Sequence, residues 1–149
     1  PFLEELLKKN PNIVFDIYGY KNRQPVWSED FYNVIKKSKM GLNLSRTNSV
    51  KYYTSNRISS LVGNGLMTFV DIGTKLNDFF SNNEIIFYKN INDLTNKLNY
   101  YKNNDALRKK IAKNGQKKYF KLFSNDTVAK YMVNRIFGKK IKNKQRWMN

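Results

Sequence analysis

The sequence contains no cysteine, no histidine and only three prolines among its 149 residues. Without cysteine, the protein can form neither disulfide bonds nor thiolate metal sites. Without histidine, it lacks the usual zinc ligand, the commonest general base and every pairing of serine or cysteine with histidine. No apolar run approaches the ~20 residues that cross a bilayer, and no signal peptide is visible. The length suits one domain with its own core.

Acidic residues are scarce in the last third of the chain, where positive charge accumulates. The formal net charge is +17. Residues 97–149 contain 16 lysines and arginines but only two acids, Asp105 and Asp126, whereas residues 1–96 carry a net charge of +3. Such a segment would attract an anionic membrane, nucleic acid or an acidic partner. A compositional origin stays open, because the whole chain is rich in lysine, asparagine, isoleucine, tyrosine and phenylalanine.

Helix-like and strand-like segments alternate along the chain. The predicted elements are helices at 2–9, 28–39, 56–62, 74–80, 92–101, 104–122 and 125–137, and strands at 13–18, 40–45, 66–71 and 84–88. Ser28 and Thr74 are predicted to cap two of these helices. The alternation predicts an α/β domain, with a parallel sheet, flanking helices and a helical C-terminal end. We expect this domain to span residues 1–137 and a basic tail to occupy residues 138–149.

Apolar residues in the last two helices predict their buried faces. In the first of them these residues are Leu107, Ile111, Tyr119, Phe120 and Phe123. In the second they are Val128, Tyr131, Met132 and Ile136. The lysines between them are expected to cover the solvent side.

The segment 56–71 is the most informative part of the sequence. It predicts a helix that begins with polar residues, ends at Gly63 and Gly65, and leads directly into a buried strand. Together with the strand 40–45 it forms one βαβ crossover. The loop of such a crossover lies at the carboxyl end of a parallel sheet, where ligands bind. A helix N-terminus there offers unpaired N–H groups to an anion.

Five polar residues flank this loop, namely Ser45, Arg46, Ser55, Asn56 and Arg57. Arg57, in the first helical turn, could clamp a diphosphate together with the free N–H groups of the helix. The alternative for Arg57 is a surface ion pair, and Arg46 could simply be solvated. Ser55 and Asn56 could act as helix caps, a role compatible with ligand binding.

Several segments follow a known family in order and pattern. Residues 15–19 form a strand that ends in glycine, and 57–65 is similar to an "R-x-x-E-A-x-x-x-G" helix. Residues 84–101 match a strand followed by "D-x-x-E/D-L", and 107–115 is similar to "R-x-x-I-A-x-x-G". In this order the segments resemble the C-terminal, nucleotide-sugar-binding half of GT-B-fold glycosyltransferases, closest to the glycosyl transferases group 1 type and its spore-maturation-protein-like relatives. The resemblance covers residues 1–137.

The resemblance implies a Rossmann-like domain that binds a nucleotide-diphosphate sugar, the sugar then passing to an acceptor hydroxyl. Ser60 takes the place of the family's glutamate, which contacts the donor's sugar or ribose, so the identity of the donor stays open. Tyr20, Val26 and Trp27 occupy the positions where the family's chain passes the nucleobase. The alternative for Trp27 is a place in the core, and the alternative for Tyr20 is to cap the sheet edge.

The resemblance also implies that no metal and no cofactor beyond the donor is needed, and it identifies no catalytic residue. The acceptor-binding N-terminal half and the first strand of this half would precede Pro1, so residues 1–149 are expected to be inactive alone. We expect a cytoplasmic protein, and the inner face of an anionic membrane is a further candidate partner. The final helix could instead pack on the other half, which would explain a basic and partly apolar surface.

Two other functions stay in view. A non-catalytic module that binds polyanions, either RNA or an anionic membrane, would use the basic C-terminal segment. Nucleic acid is the less expected ligand, because no RNP-like aromatic strand or other nucleic-acid motif is visible. A response-regulator-like domain would need clustered acids at strand ends, and Asp16 and Asp71 form no such set.

Overall fold

Helices and short strands alternate in the computed structural model, which describes residues 2–45, 47, 50–53, 55–141 and 146–148. The α-helices are α1 (Phe2–Lys9), α2 (Ser28–Lys37), α3 (Asn56–Gly63), α4 (Ile91–Lys102), α5 (Asp105–Phe123) and α6 (Asn125–Ile136). The strands are β1 (Met40–Asn43), β2 (Met67–Asp71) and β3 (Ile86–Tyr88). Short 3-10 turns cover Ile72–Thr74, Leu76–Asp78 and Arg146–Met148.

The three strands form a parallel sheet in the order β1-β2-β3. Met40 aligns with Met67 across the first pair, and Phe69 aligns with Ile86 across the second. Helix α3 connects β1 to β2, so the βαβ crossover predicted from the sequence is confirmed. The α/β, Rossmann-like class with flanking helices and a helical C-terminal end is likewise confirmed.

Apolar side chains fill both faces of the sheet. On one face, Leu6 of α1 and Leu94 of α4 are buried in one cluster with Phe69. On the other face, Ile58 and Val62 of α3 pack in a cluster with Val70 and Phe87, to which Leu122 of α5 belongs. Both faces of the short strands are therefore covered, as a parallel sheet requires.

Helix α5 lies unusually close to the turn that enters β3. A Cβ atom added to Gly115 would lie 2.2 Å from the backbone oxygen of Glu84. Next to it, Gln116 Nε2 donates to the carbonyl of Gly63 at 2.8 Å, and Asn114 Nδ2 donates to the carbonyl of Asn83 at 3.2 Å. The missing side chain thus lets α5 bond to both α3 and the turn before β3.

The strand predicted at 13–18 is wrong. The segment contributes half-buried Ile13 and Phe15 to the core, while Val14 is 90 % exposed. Its backbone nevertheless pairs with no strand among the described residues, and the only bridge nearby joins Tyr20 to Arg23. Alternation of apolar and polar residues predicts which side chains of a segment face the core. It does not predict whether another strand lies beside the segment to form backbone hydrogen bonds.

The cap predicted at Ser28 is wrong, and Thr74 begins no α-helix, although its Oγ1 accepts the backbone N–H of Leu76 at 3.5 Å. Trp27, with no side-chain cap, stands at the N-cap of α2, and Ser28 is the first helical residue with a φ of 48°. The predicted helix at 74–80 is two 3-10 turns, because Lys75 between them has a left-handed φ of 60°. The first turn is capped by Asp71, which accepts a bond from the backbone N–H of Gly73.

The buried faces predicted for the last two helices are partly wrong. In α5, Ile111 is buried as predicted, but Leu107 and Phe120 are exposed and Leu122 is buried instead. In α6 no residue is fully buried, and Met132 and Ile136 are exposed. Val128 and Tyr131 are half-buried, so the side of α6 that packs against the rest of the chain contains two of the four predicted residues.

Residues beyond Gly138 contribute to that packing. Trp147 Nε1 donates to the carbonyl of Leu122 at 2.9 Å, and its ring contacts those of Phe123 and Tyr131. Met148 is buried. Part of the segment that the sequence analysis assigns to a basic tail therefore packs against α5 and α6.

We predict opposite effects for two glycine-to-alanine substitutions. Gly115→Ala should lower the free energy of unfolding by about 3 kcal/mol, because its Cβ meets rigid backbone. Gly63→Ala is the control, since a Cβ there meets nothing within 4 Å. It should raise stability by about 0.5 kcal/mol, as expected for alanine in a helix. Chemical denaturation measures both, and equal effects would contradict the close approach of α5.

Candidate functional site

The carboxyl end of β1 and the beginning of α3 meet at one place in the structure. Arg57, in the first turn of α3, donates from Nη1 to the carbonyl oxygen of Leu44 at 2.7 Å. The sequence suggested a diphosphate or an acid as the partner of Arg57. Among the described residues, its partner is instead a main-chain carbonyl just past β1. Arg57 thereby ties the helix start to the strand end and stays partly open to solvent.

Three buried oxygen atoms at this junction have no hydrogen-bond partner among the described residues. They are Asn43 Oδ1, Ser45 Oγ and Ser55 Oγ. Asn43 is the last residue of β1 and is 1 % exposed. Ser55 is the N-cap of α3, yet its side chain caps no backbone N–H. We call Asn43, Ser45 and Ser55 the polar junction.

Buried polar atoms without partners are rare in folded proteins, because each costs about 1–3 kcal/mol. Here every one found in the described part of the chain lies at the sheet edge where ligands of parallel sheets bind. The polar junction can therefore gain hydrogen bonds from a ligand that the fold itself does not supply.

Asn43 was not predicted as a site residue. It shares a strand face with Gly41, and this face packs against Leu61 of α3. The sequence did contain a signal. Asn43 is polar, yet it lies two residues after Gly41 and so on the same strand face, which α3 covers. An apolar residue would suit such a position better unless the amide has a binding role.

The loop between β1 and α3 is fastened to the residues that follow β2. Tyr52 donates its backbone N–H to the carbonyl of Thr74 at 2.9 Å and its hydroxyl to Asp78 Oδ2 at 2.7 Å. Lys51 Nζ lies 3.3 Å from the same carboxylate oxygen. Hydrogen bonds to Tyr52 and Asp78 raise the pKa of Lys51, so the contact is charge-assisted.

A buried tyrosine, Tyr88, is the last residue of β3. Tyr88 is buried beside Asp71, its register partner on β2. Burial, and then the charge of Asp71, raise the pKa of Tyr88 above its ordinary value. The hydroxyl therefore stays protonated at any physiological pH.

The remaining predicted donor-binding residues have separate outcomes. Asn56 begins α3, and its backbone carbonyl accepts bonds from the hydroxyls of Ser59 and Ser60. Ser60 therefore lies one turn into α3, and its neutral hydroxyl donates to the Asn56 carbonyl within the same helix. Arg46 lies outside the described residues.

The three residues predicted to line a nucleobase pocket lie just before α2. Tyr20 donates its hydroxyl to Glu4 Oε1 at 3.3 Å, Val26 is half-buried and Trp27 is 74 % exposed. No hydrogen bond or ring contact among the described residues joins them to the polar junction. Within the described part of the chain, the structure therefore shows no such contact between the predicted nucleobase residues and the polar junction.

A family model described as glycosyl transferase-like matches residues 1–134. The chain belongs to this glycosyl transferase-like family. The match covers every strand in the described part of the chain and all of α6 except its last two residues, so the resemblance drawn from the sequence is confirmed at the level of a glycosyltransferase-type domain. No match was found among curated proteins or among solved structures.

The glycosyltransferase-type domain offers neither a cluster of metal ligands nor a membrane-spanning helix among the residues that the structure describes. Within the described ranges, no three acidic side chains lie close enough to hold a metal ion. Among the same residues, we find no helix with the length and apolar character needed to span a bilayer.

We predict that two serine N-caps respond oppositely to alanine. Ser124 caps α6 by accepting the backbone N–H of Thr127 at 3.3 Å, so Ser124→Ala should cost about 1 kcal/mol. Ser55 is an N-cap with an unpartnered hydroxyl, so Ser55→Ala should raise the free energy of unfolding by about 1 kcal/mol. Urea denaturation measures the free energy of unfolding of the two variants and of the parent protein. Equal destabilisation would show that the Ser55 hydroxyl has a partner in the folded protein.

Proposed function

We propose that this glycosyltransferase-type domain binds a nucleotide-diphosphate sugar at the polar junction and the N-terminus of α3. The observation that supports the proposal is the set of three unpartnered oxygen atoms at Asn43, Ser45 and Ser55. A ligand rich in hydroxyl and phosphate groups offers partners to all three side chains. The serine hydroxyls can donate to phosphate oxygens, and the side-chain Oδ1 of Asn43 can accept from a sugar hydroxyl.

The diphosphate belongs at the first turn of α3. The backbone N–H groups that begin α3 have no intrahelical acceptor, apart from that of Ile58, which donates to the Ser55 carbonyl at 3.1 Å, and the helix dipole favours an anion. Arg57 adds a full positive charge at the same turn, and its guanidinium can bond a phosphate while Nη1 keeps the Leu44 carbonyl. Arg46, just past β1 in the sequence, is proposed as a second cation.

The chemistry that this arrangement would support is departure of a nucleoside diphosphate. Negative charge develops on the β-phosphate as the glycosidic bond breaks. Positioned N–H groups and Arg57 would stabilise that charge within a cleft of low dielectric constant. The sugar then passes to an acceptor hydroxyl, for which a further domain would supply the binding site and the base. Residues 1–149 are thus proposed to bind the donor without turning it over, and no metal or cofactor is assigned.

Ser60 and the loop before α2 determine which donor is accepted. A carboxylate at position 60 would accept two hydrogen bonds from vicinal hydroxyls, whereas the serine hydroxyl already donates to the Asn56 carbonyl. We therefore propose a weaker hold on the sugar or ribose at this position. Tyr20, Val26 and the exposed ring of Trp27 are proposed to contact the base.

We predict that Arg57→Ala weakens the binding of a nucleoside diphosphate by about tenfold or more, which corresponds to at least about 1.4 kcal/mol. Titration calorimetry with uridine, guanosine, adenosine and thymidine diphosphates provides the measurement. The affinity of Arg57→Lys should lie between those of the parent protein and Arg57→Ala, because lysine keeps the charge but lacks the planar guanidinium.

Arg135→Ala is the matched control, since it removes an exposed arginine from α6. It should leave the affinity unchanged. Melting temperatures of all variants must stay close to that of the parent protein, because Arg57 also holds the Leu44 carbonyl. Unchanged affinity in Arg57→Ala would refute the proposed diphosphate site.

A further inference from the structure

Helix α6 turns an apolar face toward solvent. Its exposed apolar residues are Met132, Val133, Ile136 and, at the C-cap, Phe137. Their spacing of one, three and four residues places them on one side of a helix. Ile136 is 75 % exposed and Phe137 69 %. We call these four residues the α6 face.

The opposite side of α6 already has its partners. Tyr131 lies against the ring of Trp147, with ring centroids 5.2 Å apart, and Val128 is half-buried. The α6 face therefore does not result from a helix that has failed to pack. The helix packs through one side and leaves four large apolar side chains on the other, which in soluble proteins marks an interaction surface.

Positive charge adjoins the α6 face at its C-terminal end. Arg135, Lys139 and Lys140 line a groove of about 450 Å³ that also contains Tyr131 and Met148 but no acidic residue. The groove lies beside the α6 face, on the side of the helix that packs, and none of the four residues of the α6 face lines it. None of the three forms an ion pair with an acid among the described residues, unlike Arg108 and Lys109 of α5, which pair with Asp105. Lys139 Nζ lies 5.8 Å from the ring centroid of Phe137, so charge and apolar surface are in direct contact.

The charge distribution selects among the occupants of such a surface, which include the other half of a glycosyltransferase. A protein half packed there would bury three cations that no acid among the described residues neutralises, which is costly unless that half supplies acids. A second copy would bring two chains of net charge +17 together at their most basic segments, and like charges oppose that contact. Nucleic acid would satisfy the cations but offers no apolar medium to four side chains of the α6 face. An anionic lipid bilayer supplies both, since phosphate groups lie directly above acyl chains.

We propose that the α6 face docks on the surface of an anionic lipid bilayer. Ile136, Phe137 and their apolar neighbours enter the boundary between headgroups and acyl chains, while Arg135, Lys139 and Lys140 bind lipid phosphates. The helix lies on the membrane and does not cross it, in keeping with its 12 residues. This surface is distinct from the polar junction and would hold the domain at a membrane whichever donor it uses.

Sedimentation of the full chain with lipid vesicles tests the proposal. Vesicles of phosphatidylcholine with about 30 % phosphatidylglycerol should bind at least about tenfold more protein than phosphatidylcholine alone. The double variant Ile136→Ser/Phe137→Ser should lose about tenfold of that binding, because apolar insertion contributes alongside charge. Val14→Ser is the matched control, since Val14 is also highly exposed but lies outside α6, and it should bind as the parent does.

A second pair of variants tests the cations. Lys139→Gln/Lys140→Gln should weaken binding to the anionic vesicles several-fold. Lys36→Gln/Lys37→Gln removes the same charge from exposed positions of α2 and should change binding by less than about twofold. Both lysine pairs are exposed, so melting temperatures should stay unchanged. Equal losses from the two pairs would show that net charge alone drives binding.

Three other results would overturn the proposal. The first is a parent protein that does not sediment with anionic vesicles. The second is vesicle binding that Ile136→Ser/Phe137→Ser leaves intact. The third is a concentration-dependent dimer, measured by analytical ultracentrifugation, that this variant dissolves, because the α6 face would then belong to a second copy. Calorimetry measures nucleotide binding in a separate experiment, so failure of the membrane proposal would not contradict the proposed donor site.

Discussion

The contact between Gly115 and the Glu84 carbonyl is the constraint on which the rest of the domain depends. Only a residue without a side chain lets α5 lie this close to the turn that enters β3. At that distance Gln116 reaches the last carbonyl of α3, and α5 covers the sheet face on which α3 rests. The position of α3, and with it the polar junction at its N-terminus, therefore follows from one close approach on the opposite edge of the sheet.

At the polar junction, the cost to stability and the proposed ligand binding oppose each other. The fold buries three oxygen atoms there that have no partner among the described residues. The two apolar clusters of the sheet supply the stability that makes this cost tolerable. Under the proposed function, a bound donor would make the hydrogen bonds that the fold leaves unmade, so the cost in stability would serve binding.

The crossover from β1 through α3 to β2 could be predicted because local signals agree there. Polar residues open the helix, Gly65 with its φ of 77° ends it, and a continuous apolar run marks the buried strand. The segment 13–18 could not be resolved in the same way, since alternation says nothing about a pairing partner. Likewise, the bond from Arg57 to the Leu44 carbonyl has no signature in the sequence, because every residue carries that carbonyl. Asn43 was missed since a polar residue at a strand end usually faces solvent.

The misassigned face of α6 has a different physical origin. Apolar spacing predicts a helix with one buried side, and the sequence placed Val128, Tyr131, Met132 and Ile136 on it. Val128 and Tyr131 do lie on the packed side, whereas Met132 and Ile136 are exposed. The core side is defined instead by Trp147, which reaches back from beyond the helix to cover Tyr131 and Phe123. Once this aromatic cap occupies the inner side, the stripe of Met132, Val133, Ile136 and Phe137 can only point outward. An apolar face lies there next to cations that no acid in the described residues neutralises. The proposed lipid surface would satisfy both, because it is apolar and anionic at once, whereas a ligand selected by charge alone would leave the apolar side chains in water.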